Sequence, residues 1–166
     1  MAKLNKILAP TDMSELSRTG IRYAMELAEA QRAEVIVYHV IGYEEATSYY
    51  GTFDEAAPAT VDFRPVHEII EERRRELGKF LRGNFADLIP KLKVRAEVEV
   101  GLPYKRIVEK AVEEGMDMIV MSTHGRTGLL HLLIGSVTEK VVRLARCPVL
   151  SVRPMKEPRL AQVVTG

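Results

Sequence analysis

Two short segments carry the residue types that could hold an anion. The first is Ser122-Thr123-His124-Gly125-Arg126-Thr127-Gly128, and it is followed by Gly135-Ser136, with the nine residues Arg126 to Ile134 between Gly125 and Gly135. Glycines let a backbone approach a phosphate closely, and a helix N-terminus supplies free N–H donors at the positive end of its dipole. Ser136 suits either a helix cap or an oxyanion contact. Taken alone, Gly125 and Gly128 read as shaping a turn and Ser136 as an N-cap. The second segment is Pro10-Thr11-Asp12, where Asp12 alone reads as a turn residue or as a cap for the helix that follows. Neither a GxxxxGK[ST] loop nor a GxGxxG fingerprint occurs. His124 has no nucleophile beside it, His39 reads as a packed strand residue, and His67, His131 and Cys147 have no metal-ligand spacing.

These segments need elements to position them, and the apolar pattern supplies strands alternating with helices. Strands are expected at Leu4–Pro10, Glu34–Ile41, Val94–Val100, Asp117–Met121 and Pro148–Val152. Helices are expected at Ser14–Arg32, Pro65–Leu88, Pro103–Gly115 and Ser136–Ala145, with Ser14 as a start signal and Pro103 in a first turn. The stretch 43–66 loses periodicity and reads as a long loop, a lid or partner surface. Residues 154–166 read as a tail beyond a domain spanning 1–153. The charge run Glu71 to Glu76 reads as a solvated face. Such alternation implies an α/β fold: an open parallel sheet with helices on both faces, which binds ligands beyond the carboxyl ends of its strands.

Composition removes other classes. Lys plus Arg is 24 and Asp plus Glu is 23 in 166 residues, a net charge of +1 that offers nothing to nucleic acid or an anionic membrane. There is no Trp, so base-stacking platforms are not expected either. One cysteine excludes an internal disulfide. With no cleavable apolar stretch after Met1, a cytoplasmic protein is expected.

Pro10-Thr11-Asp12, His39-Val40, Met121-Ser122-Thr123-His124-Gly125, Gly135-Ser136-Val137-Thr138 and Cys147-Pro148-Val149-Leu150-Ser151-Val152-Arg153 together resemble the universal stress protein family over nearly the whole chain. The resemblance implies a five-stranded sheet of order 3-2-1-4-5, Rossmann-like and related to the adenine nucleotide alpha hydrolases. One branch of the family binds ATP through G-x2-G-x9-G-[ST]. Aligned here, Gly125, Gly135 and Ser136 fill the later places, and Ser122 stands where the first glycine would lie against ribose and phosphates, with Met121 before it. By the same resemblance Pro10, Thr11 and Asp12 lie beside the nucleoside and the Val40 backbone meets the adenine edge. Gly125, Arg126, Gly135, Ser136 and Val137 surround the phosphates, and Mg²⁺ arrives bound to them. The expected function is a stress-response sensor or regulatory module, at most a slow ATPase, and a homodimer through strand 148–152. The alternative is a nucleotide-free dimeric interaction protein of the same fold, its crevice filled by Ser122 and its neighbours.

Overall fold

The computed structural model describes residues 3–48, 65–123 and 135–153. Gly125, Arg126, Gly128, most of the 43–66 stretch and the 154–166 tail lie outside them. The elements run β1 (Lys6–Pro10), α1 (Ser17–Gln31), β2 (Glu34–Ile41), α2 (Tyr43–Ser48), α3 (Val66–Asn84), β3 (Lys93–Val100), α4 (Pro103–Glu113), β4 (Met118–Ser122), α5 (Ser136–Leu144) and β5 (Val149–Val152). The strands form one sheet of order β3-β2-β1-β4-β5, and every pairing is parallel. Both the α/β class and the expected strand order are therefore observed.

Alternation along the strands divides the core in two. Ile7, Ala9, Val35, Val37 and Val98 face α1 and α3, whereas Leu8, Ile36, Tyr38, Ile119 and Met121 face α4 and α5. Ile7, Leu8, Ile36 and Ile119 are fully buried, and each such side chain is worth about 1.5–3 kcal/mol of burial. The β-branched run of β2 has no polar alternation because helices cover both its faces.

Three departures from expectation exceed two residues. The turn at Ser14–Leu16 stays outside α1: Ser14 Oγ accepts the Ser17 N–H at 3.2 Å, and Leu16 is the N-cap. Residues 43–48, expected as loop, form α2, which is anchored by buried Ala46 and by the Glu45–Arg73 ion pair at 2.5 Å. Six residues with one apolar anchor are too few to display a period. α3 closes at Asn84, whose Nδ2 donates to the Phe80 carbonyl, and a single 3₁₀ turn at Ile89–Lys91 follows.

β3 is an edge strand. Its outer face is tied to α4 by ion pairs rather than by apolar packing. Arg106 bonds Glu99, and Lys110, 8% exposed, reaches Glu97 at 3.1 Å and Glu99 at 2.5 Å. Burial alone would raise the Glu99 carboxyl, but hydrogen bonds from Lys110 and Arg106 outweigh it and hold the group at about 2, below its ordinary 4.5.

α1 approaches the end of β4 closely. A Cβ on Gly20 would stand 2.6 Å from the Ser122 backbone N and 2.8 Å from the Met121 carbonyl carbon. Gly20→Ala is therefore expected to destabilise the fold by about 1–3 kcal/mol. Gly83→Ala in α3, where a Cβ meets nothing within 4 Å, should stabilise it by up to about 1 kcal/mol. Urea midpoints that moved the same way in both variants would refute the close approach. Because the Glu99 carboxyl is depressed in the folded state, its stabilisation is present above pH 4.5 and is lost as pH falls from 4.5 toward 2. Glu99→Gln should flatten the acid limb of the melting profile in that window, and an unchanged slope would count against the ion cluster.

Candidate functional site

The sheet reverses its winding between β1 and β4, and their carboxyl ends open into a cleft of about 240 Å³. Each site residue named from the sequence that the structure describes lies on its wall. Pro10, Thr11 and Asp12 come from the end of β1, Val40 from β2, and Met121 and Ser122 from β4. Gly135, Ser136 and Val137 come from the start of α5. Sequence reasoning missed Ser17, Tyr38, Pro103, Ile107 and Thr138, which also line it. The apolar members Tyr38 and Ile107 belong to the α4/α5 core, so the sequence marks them only as core residues.

Hydroxyls and one carboxylate fix the turn after β1. Asp12 Oδ1 accepts the Ser14 N–H at 3.0 Å, and Thr11 Oγ1 accepts the Met13 N–H at 2.9 Å. These two bonds hold Met13 in the left-handed region at φ 60°. Asp12 is thus a turn residue and a cleft residue at once. Ser17 Oγ donates to the Ser14 carbonyl at 2.8 Å, which leaves the Thr11 hydroxyl to donate to Ser17 at 2.9 Å. His39, 2% exposed, binds the Thr11 carbonyl through Nδ1 at 2.8 Å, a packed and bonded histidine as its strand position suggested.

Val40 contributes backbone. Tyr38 C=O accepts from Thr11 N–H on the β1 side, and Ile41 C=O accepts from Gly101 N–H on the β3 side. Successive residues of a strand point their amides to opposite edges. Val40 therefore directs both its N–H and its C=O toward the β1 side, past the last paired residue of β1, Pro10. A donor and an acceptor lie together there, beside the apolar surfaces of Tyr38, Pro103 and Ile107.

At the other end stands the start of α5. Gly135, not Ser136, is its N-cap (φ −68°, ψ 151°), a residue with no side chain of its own to cap the helix. Ser136 is the first helical residue. Ser136, Val137 and Thr138 of the first turn line the cleft, and a helix start presents N–H donors and partial positive charge. The Ser122 hydroxyl does not point at this end. It donates to the Leu16 carbonyl at 2.8 Å and accepts the Gly20 N–H at 2.9 Å, so the side chain belongs to the contact with α1. Among the described residues, no three His, Cys, Asp or Glu side chains gather as a metal site.

Known proteins share this fold. The universal stress protein family matches residues 3–153. A universal stress protein of Methanocaldococcus jannaschii is 34% identical over 153 residues, covering 92% of this chain and 84% of the relative. The structure of UspA, a universal stress protein of Lactobacillus plantarum, superposes with a TM-score of 0.71 at 21% identity, covering 92% of this chain and 100% of that one. A universal stress protein in complex with cAMP superposes with a TM-score of 0.58 at 23% identity, covering 93% and 100%. The match over nearly the whole chain, together with the β3-β2-β1-β4-β5 sheet, establishes that this chain belongs to the universal stress protein family.

Proposed function

We propose that the cleft binds ATP or a related adenine nucleotide and that the protein acts as a stress-response sensor or regulatory module. One observation carries the reading: a single cleft joins the Val40 donor–acceptor pair, past the end of β1, to the start of α5 at Gly135. An adenine edge offers an amino donor and a ring-nitrogen acceptor, the complement of Val40, and its flat faces suit Tyr38, Pro103 and Ile107. Phosphates suit the amides of Ser136, Val137 and Thr138, with Gly125 and Arg126 completing their surroundings. Pro10, Thr11, Asp12, Met121 and Ser122 border the nucleoside between them. The cAMP complex of a family member supports an adenine nucleotide as the ligand class. Mg²⁺ would arrive held by phosphates and water.

Asp12 and Tyr38 are the titratable groups on the described wall. Burial, reinforced by the nearby Glu99 charge, pushes the Tyr38 phenol upward and keeps it neutral. The Asp12 carboxylate is engaged with the Ser14 amide. The reading therefore stops at binding with at most slow hydrolysis. A nucleotide-free role in which Ser122 fills the crevice is disfavoured, because its hydroxyl is committed to α1. Cys147 is a free thiol, and the cytoplasm is the compartment proposed.

β5 is an edge strand whose Val149, Leu150 and Val152 are only partly buried. An apolar strand edge of this kind favours pairing with a second copy, and residues 148–152 are assigned as the homodimer contact.

Isothermal calorimetry should detect ATP, ADP or AMP at millimolar concentration or below. Ser136→Glu should weaken ATP binding at least tenfold while leaving melting unchanged or slightly raised, because a carboxylate at a helix start favours the helix and repels phosphate. Absence of heat with all three nucleotides would sink the reading. Light scattering at micromolar concentration should return twice the chain mass, and a monomer would remove the dimer.

A further inference from the structure

We infer that Ser122 is a positioning residue, tying the first turn of α1 to the first turn of α5 so that the two sides of the cleft are held in register. The inference rests on the nucleotide-binding reading. In a regular α-helix the Gly20 N–H would bond the Leu16 C=O directly. Here the Ser122 hydroxyl stands between them, accepting from the one at 2.9 Å and donating to the other at 2.8 Å. A side chain of β4 is thus inserted into the opening hydrogen bond of α1. The missing Cβ at Gly20 makes room for it. The carbonyl of the same residue accepts the Thr138 hydroxyl at 3.0 Å, a buried bond from the first turn of α5.

Both turns line the cleft, through Ser17 on α1 and Ser136 to Thr138 on α5. Ser17 passes the tie on to Thr11 by its hydroxyl contact. A glycine at position 122 would keep the carbonyl contact with α5 and lose the hydroxyl contact with α1. The serine therefore adds a connection across the site without occupying it. Fixing both turns before the ligand arrives lowers the ordering cost of binding.

Amide hydrogen exchange and calorimetry on Ser122→Ala and Ser122→Gly test this, with the buried Leu77 of α3 as the reporter of global folding. In the ligand-free protein both variants should speed exchange at Gly20 and at Glu139, whose N–H closes onto Gly135 in α5, while Leu77 is unchanged. ATP should slow Gly20 exchange in the wild type, although Gly20 is not on the cleft wall. That protection should be largely lost in the variants, and ATP affinity should fall about three- to tenfold. A merely structural serine would lower melting and leave affinity and ATP protection of Gly20 intact, and that result would overturn the proposal. Acceleration confined to Gly20 would also overturn it, since the tie would then not reach α5. If the wild type binds no nucleotide, the binding reading fails, and the exchange of Gly20 and Glu139 in the ligand-free variants still decides for or against the tie.

Discussion

How near α1 can lie to the end of β4 determines most of what happens at the carboxyl edge of this sheet. With hydrogen in place of a side chain at Gly20, the helix backbone rests directly on Met121 and Ser122. That contact aims α1 so that its preceding turn, Thr11 to Leu16, folds back over the end of β1, where the hydroxyls of Thr11, Ser14 and Ser17 take up its amides and carbonyl. β4 in turn supplies the carbonyl of Ser122 that receives α5 through Thr138. The cleft is thus defined by two helix starts referenced to one strand end.

The other wall is held by different physics. α4 meets β3 through Arg106, Lys110, Glu97 and Glu99, and Lys110 also sits 5.3 Å from the ring centroid of Tyr38 on the cleft wall. Net charge across the whole chain is +1, yet charge is concentrated where it orients an element. For the proposed nucleotide, Val40 at one end and the α5 amides at the other would need no basic side chain.

Much of this was legible in the chain. β2 reads from Glu34 to Ile41 in both sequence and structure, because continuous β-branched burial leaves no competing period. The glycine spacing and Pro10-Thr11-Asp12 pointed to two strand ends that the parallel order places side by side. What was not legible depends on three-dimensional neighbours. Ser122 read as a departure from a glycine position, but the direction of its hydroxyl follows from Gly20, 102 residues earlier. Ser136 carried the chemistry of a cap, whereas the chain turns one residue sooner, at Gly135. α2 is too short to reveal itself, and Tyr38 and Ile107 look like any core residues until a cleft opens beside them.

The two rims of the sheet are unlike. β3 carries Lys93, Arg95, Glu97 and Glu99, and β5 carries Val149, Leu150 and Val152. Charged residues on an edge strand discourage another strand from docking, whereas an apolar edge invites it. Under the proposed β5 pairing, one apolar rim closes a pair while the charged rim offers no second edge for growth.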